Sequence, residues 1–129
     1  MVGMVIVSHS EKVAEGVKEL ASQMVGDVLI AAAGGTSDGR LGTDVEKITS
    51  AVESVYSDDG VILLFDLGSA VMNSEMALEM LPEEMQAKVE ILDVALIEGA
   101  ITAAIECSIG RSIPEIKESL KRLSLGKLA

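Results

Sequence analysis

Residues 4–13 read "MVIVSHSEKV", and the point where this stretch changes character decides the fold. Met4 to Val7 are apolar without alternation. Ser8, His9 and Ser10 are small or polar, and charged residues at helical spacing follow from Glu11. An unbroken apolar run of this length fits a strand buried on both faces, as strands of parallel sheets are. The only histidine of the chain therefore stands at the carboxyl end of a strand, just ahead of a helix. His9 is then either an incidental strand-end residue or the reactive group of the protein.

Outward from this stretch the same pattern repeats. Glu11 to Val25 is predicted to be helical, with Val13, Val17, Leu20, Ala21 and Met24 on its buried face. "DVLIAAA" at 27–33 is a second buried strand. The Gly-rich "GGTSDGRLGTD" at 34–44 ends in Thr43 and Asp44, which can cap a helix reaching about Tyr56. "SDDG" at 57–60 is a turn, and "VILLFD" at 61–66 is an apolar strand ending in an acid. "LGSA" opens a helix to about Leu81, stopped by Pro82. A further strand falls within Lys88–Ala95, and helices cover 98–110 and 114–123, the last with Pro114 in its first turn. The closing "SLGKLA" is expected to fray or to lie against a partner. Strands alternating with helices predict an α/β fold. The expected form is a three-layer α/β/α sandwich around a mostly parallel sheet of four to five strands, as one domain over residues 1–129.

Composition narrows the function classes. Of 129 residues 49% are hydrophobic, but Tyr56 and Phe65 are the only aromatic ones. The core must come from Val, Ile, Leu, Ala and Met, and Met72, Met76 and Met80 are expected to pack at helical spacing. No apolar run approaches the ~20 residues of a membrane helix, and no signal peptide is read. Cys107 is alone, reads as a core residue, and fits a reducing cytoplasm. Ten basic against 21 acidic residues give a net charge of −11. That balance argues against nucleic acid as a partner; it suits a partner with a basic surface, or serves solubility alone.

The chemistry gathers at strand ends. In open parallel sheets ligands bind beyond the carboxyl ends of the strands, where strand order reverses. With the order 2-1-3-4, His9 after the first strand and Asp66 after the third flank that point. A carboxylate accepting the Nδ1 proton fixes the imidazole tautomer and leaves Nε2 as an oriented nucleophile; the plainer alternative makes Asp66 a helix cap. One histidine cannot build an imidazole cage for zinc, and neither a metal nor a cofactor is implied. Helix starts after His9, Thr43 and Gly68–Ser69 would aim N–H groups at one edge, which suits an anion. Gly34, Gly35, Gly42 and Gly68 permit close backbone approach, or simply make turns. The Gly-Lys-Ser/Thr element of nucleotide loops is missing, so a bare phosphoryl group fits better than ATP. Gly35 and Thr36 are phosphate-binding candidates in that loop, and Lys12 and Arg40 are the cations expected nearby.

"VIVSHS" at 5–10, "GTD" at 42–44, "DLGSA" at 66–70 and "EGA" at 98–100 resemble the phosphotransferase subunit of bacterial dihydroxyacetone kinase. That subunit has the mannose-type EIIA fold of the phosphoenolpyruvate-dependent phosphotransferase system. The resemblance implies a phosphotransferase in which His9 receives a phosphoryl group from the phosphocarrier HPr. The group then passes to ADP on the nucleotide-binding subunit of the kinase, and the ATP formed phosphorylates dihydroxyacetone held by a third subunit. It further implies that Asp66 orients His9, that Ser10, Gly68 and Ser69 cradle phosphoryl oxygens, and that the protein is a homodimer. Some family members carry HPr-like and enzyme-I-like domains after this one. A chain ending at Ala129 would need a separate HPr, or is a piece of a longer protein. The rival readings are a sugar-specific EIIA that passes phosphate to an EIIB domain, and a non-enzymatic domain binding an anion or a partner. A receiver domain is disfavoured, because Ser8 and His9 stand where its acids would be.

Overall fold

The computed structural model describes residues 1–127. Its elements run β1 (Gly3–Ser8), α1 (Glu11–Met24), β2 (Ile30–Gly34), α2 (Val45–Val55), β3 (Val61–Phe65) and α3 (Ala70–Glu79). They continue with α4 (Glu83–Gln86), β4 (Val89–Leu92), α5 (Leu96–Ser108), α6 (Ile113–Leu120) and a 3-10 turn at Lys121–Leu123. The four strands form one parallel sheet in the order β2-β1-β3-β4. The most apolar strands, β1 and β3, are central, and every residue of both is buried. The mostly parallel α/β/α sandwich with order 2-1-3-4 is therefore the observed architecture.

Alternation along the strands sorts the core into two halves. Met4, Ile6, Ile62 and Leu64 face one side, where they meet Ala14 and Val17 of α1, Ala103 and Cys107 of α5, and Ile116 of α6. Val5, Val7, Leu63 and Phe65 face the other, against Ile48 and Val52 of α2 and Val71 and Ala77 of α3. Helix starts follow the expected chemistry. Asp44 accepts from Lys47 N–H at the head of α2, and Ser112 closes a capping box with Glu115 at the head of α6. Among the described residues no helix is long and apolar enough to cross a membrane.

Some expectations shift. β2 and β4 are shorter than the stretches that announce them, and α4, just after Pro82, has no counterpart in the sequence reading. On α1 the buried residues are Ala14, Val17 and Ala21, whereas Val13, Leu20 and Met24 are exposed. On α3 the buried residues are Ala70, Val71, Ser74 and Ala77. Met72, Met76 and Met80 are 73%, 52% and 63% exposed, so they form an outward stripe and not part of the core. The cause is the same in both helices. Small residues let the helix axis sit close to the sheet, and the longer apolar side chains lie beside that contact line, outside it.

Gly34 shows how tight the contact is. A Cβ there would lie 2.5 Å from Ser10 O and 2.7 Å from Ala14 Cβ, so the end of β2 touches the first turn of α1 directly. Gly34→Ala should destabilise the fold by about 1–3 kcal/mol, measurable as a lowered urea midpoint with an unchanged slope. A midpoint equal to wild type would mean that the contact is slack.

Candidate active site

The β1–β3 register sets Val7 opposite Phe65. The next residues on each strand, Ser8–His9 and Asp66, therefore leave the sheet side by side. Asp66 N–H still donates to Val7 O at 3.2 Å, so the two backbones part only beyond this point.

Asp66 accepts four hydrogen bonds, two on each oxygen. Oδ1 takes the His9 ring Nδ1 at 3.0 Å and Leu67 N–H at 2.7 Å. Oδ2 takes the Ser8 hydroxyl at 2.8 Å and His9 N–H at 3.0 Å. Burial, the largest single influence, pushes its pKa up. The donors from His9, Ser8 and Leu67 together outweigh it and bring the carboxyl below its ordinary value. An ionised Asp66 can only accept, so the His9 proton sits on Nδ1 and Nε2 carries the free lone pair. The Ser69 hydroxyl donates to that Nε2 at 2.9 Å. The His9 side chain is 25% exposed and that of Asp66 22%, which leaves the pair reachable from solvent but well shielded.

The flanking loops are built around this pair. Ser8, fully buried, both donates to Asp66 and accepts from Ser10 N–H at 3.0 Å. Ser10 caps α1 through Val13 N–H at 3.2 Å. Gly42 N–H donates to His9 O at 2.7 Å. Next to it, Asn73 of α3 donates its side-chain amide to Thr43 Oγ1 at 2.6 Å, which holds the "GTD" loop against the site. Ser69 stands at the N-cap position of α3 without a side-chain cap bond, because its hydroxyl is turned to His9. α1, α2 and α3 all begin past the carboxyl ends of β1, β2 and β3.

His9, Asp66 and Ser69 thus come together, and Gly68 lies in the same turn as Ser69; Ser10 follows His9 in the chain but turns its hydroxyl to the head of α1. Gly35 and Thr36 are differently engaged. Gly35 N–H donates to Ser8 O and Thr36 N–H to Arg40 O, while the Thr36 hydroxyl bonds Asp38. Arg40 also pairs with Asp38 in that exposed loop, at 2.8 Å. Sequence reasoning overlooks Ser8, Asn73, Lys47 and Lys127. The Lys47 ammonium bonds Gly34 O at 3.0 Å, and Lys127 reaches the end of β3. Ser8 carried a signal, since a buried polar residue one place before the histidine must find a partner. Among the described residues no grouping of three or more His, Cys, Asp or Glu could hold a metal.

The family model EIIA-man, described as the PTS system fructose IIA component, matches residues 3–117. This chain belongs to the mannose-type EIIA family. It is 40% identical over 121 residues to the phosphoryl donor subunit DhaM of PEP-dependent dihydroxyacetone kinase 2 from Listeria innocua, covering 93% of this chain and 97% of that one. To the phosphotransferase subunit DhaM of the PTS-dependent dihydroxyacetone kinase of Lactococcus lactis it is 37% identical, over 97% of this chain and 98% of that one. The Escherichia coli phosphoryl donor subunit DhaM is 42% identical over 90% of this chain, which spans only 25% of that longer protein. Within the family the chain falls with these dihydroxyacetone kinase phosphoryl donor subunits. A crystal structure of a protein of unknown function is similar at a TM-score of 0.84 and 35% identity, over 97% of each chain. A sigma-54 interaction domain protein from Enterococcus faecalis shares the fold, with a TM-score of 0.70 and 20% identity over 94% of this chain and 88% of that one.

The lowered Asp66 pKa has a measurable consequence. Ionised Asp66 favours the folded state above the unfolded-chain value of about 3.9, and that contribution is lost as pH falls through the lower folded-state value. Asp66→Asn should therefore flatten the acid limb of the stability curve, as followed by urea unfolding between about pH 2 and pH 6. An acid limb as steep as wild type would show that the four donors do not act on this carboxyl.

Proposed function

We propose that this protein is a cytoplasmic phosphohistidine relay that accepts a phosphoryl group from HPr on His9 Nε2. It hands the group to ADP on the nucleotide-binding subunit of dihydroxyacetone kinase and so supports phosphorylation of dihydroxyacetone on a third subunit. The observation carrying the reading is the ring held from both sides, with Nδ1 on Asp66 at 3.0 Å and Nε2 turned to the Ser69 hydroxyl at 2.9 Å. The family and the phosphoryl donor subunits that this chain is similar to support the reaction class.

The steps follow from that geometry. As the lone pair of Nε2 attacks phosphorus, the bond from phosphorus to its carrier atom on HPr breaks and the N–P bond to His9 forms. The Nδ1 proton stays on the ring, where Asp66 balances the positive charge that develops. The Ser69 hydroxyl must leave Nε2 and can then donate to a phosphoryl oxygen, with Ser10 and Gly68 beside it. In the second half the N–P bond breaks as a β-phosphate oxygen of ADP attacks, and His9 returns neutral. Phosphoryl transfer needs positioning and charge stabilisation more than covalent assistance. A groove of about 570 Å³ is lined by Glu11, Lys18, Ala31, Asp44 and Lys47, and neither His9 nor Asp66 forms part of its wall.

Incubation with phosphoenolpyruvate, enzyme I and HPr, followed by intact-mass analysis, tests the relay. One phosphoryl group should be gained and then lost on adding the ADP-loaded kinase subunit. Transfer to an EIIB domain instead would favour the sugar-specific reading, and no gain at all would remove His9 from any relay. His9→Ala should abolish uptake and remain folded. Asp66→Asn should slow uptake by roughly one to three orders of magnitude, by analogy with loss of tautomer control in hydrolytic triads. Unchanged rates in rapid-quench experiments would reduce Asp66 to a cap.

A further inference from the structure

The end of the described chain brings a cation to the site from a direction that the motifs do not announce. Ala95 N–H donates to Leu123 O at 2.9 Å, tying the exit of the 3-10 turn to the start of α5. The chain then reaches the carboxyl ends of β4 and β3. Lys127 Nζ donates to Phe65 O and, at 2.6 Å, to Val94 O. It stands 4.3 Å from the centroid of the Phe65 ring, within cation–π range. The carbonyl of Lys127 lies 2.7 Å from where a Cβ on Gly68 would be, so the tail rests directly on that glycine.

The contacts to Phe65 and Gly68 land on the segment that carries Asp66, and the one to Val94 ties it to the end of β4. β3 and β4 last pair at Leu64 and Leu92. Beyond that pair the carbonyls of Phe65 and Val94 take their donors from Lys127, which answers the demand of backbone acceptors at a strand end. Phe65 immediately precedes Asp66, and Gly68 immediately precedes Ser69. One lysine therefore touches both ends of the turn that supplies His9 with its two partners. Burial draws the Lys127 pKa below the usual range, and attraction to the Asp93 and Asp66 carboxylates opposes this. On Asp66 itself, the lowering comes from the hydrogen bonds of His9, Ser8 and Leu67, against burial.

We propose that Lys127 is a positioning residue for the His9–Asp66 pair. The tail clamps the Asp66–Ser69 turn and keeps the carboxylate and the Ser69 hydroxyl in register with the two ring nitrogens. The effect on phosphoryl transfer rests on the reading of His9 as the acceptor, but the effect on ring geometry does not. A misplacement of about 1 Å can cost about a hundredfold in rate, so a loosened turn is expected to lower transfer by about tenfold or more.

Lys127→Met keeps an apolar stem over Phe65 and removes the donors. Lys127→Cys, alkylated with 2-bromoethylamine, restores an ammonium at nearly the same reach. Cys107 is buried and its thiol is pushed up to about 12 by desolvation, so it stays unmodified. The readouts are the ¹⁵N spectrum of the His9 ring, amide exchange at Leu67 and Ala70, and the kcat and KM for uptake from phosphorylated HPr.

The Met variant should shift the ring signals, speed exchange in the turn, and lower kcat about tenfold with KM nearly unchanged. The alkylated variant should recover all three. Ring signals and exchange identical to wild type in both the Met and the unalkylated Cys variants would overturn the proposal, even where the wild type takes up phosphate. A wild type that takes up none, with ring signals that still shift on losing Lys127, would uphold the clamp and refute the relay.

Discussion

The structure of the site depends on one carboxylate with all four of its lone-pair directions occupied. Asp66 draws donors from the end of β1, from the backbone and ring of His9, and from its own turn. Burial without these donors would favour the neutral acid, which has a proton of its own to donate and would no longer dictate the tautomer of the imidazole. Saturation keeps Asp66 anionic, the anion holds the proton on Nδ1, and Nε2 is left with its lone pair. This chain of consequences requires β1 and β3 to be neighbours, because Ser8 and Asp66 meet only through that register. The strand order is therefore part of the chemistry as well as of the fold.

Around this centre, groups that would ordinarily stabilise secondary structure are turned to the site. Ser69 occupies a capping position at the head of α3 but gives its hydroxyl to His9, at a cost to helix stability of about 1 kcal/mol. Asn73, one turn further on, reaches across to Thr43, and Gly42 beside it holds the His9 carbonyl. The loop at Gly42 and the head of α3, far apart in sequence, are thus both tied to His9. Tight helix–sheet contact at Gly34 gives them a firm base.

The parts of this arrangement that were legible in the sequence are those written in unbroken runs. "MVIV" and "VILLF" mark the central strands, and the residues just after them mark His9 and Asp66. Asp44 follows local capping chemistry and needs no tertiary information. What stays hidden has a physical cause in each case. Hydrophobic spacing on α1 and α3 cannot distinguish the stripe that touches the sheet from its neighbour when alanine and serine make the contact, and the outward methionines of α3 show this. Gly35 and Thr36 look like an anion loop by composition, yet the Gly35 N–H is taken by Ser8 O at the end of β1 and the Thr36 N–H by Arg40 O within the loop. Lys127 lies in the closing segment read as a fraying or partner-bound end. It is packed onto β3 instead, while residues 128 and 129 lie outside the described part.

The pinned imidazole has a further consequence for traffic. One ring nitrogen is committed inward to Asp66, so a single atom faces outward, and it does so from one side only. On the proposed reading, the protein that loads the phosphoryl group and the protein that unloads it must occupy the same small doorway in turn. They are then mutually exclusive visitors, so a crowd of unloaded donor molecules would slow delivery by standing in the way. Flux through such a carrier is governed by how fast each visitor departs as much as by the bond-making at Nε2.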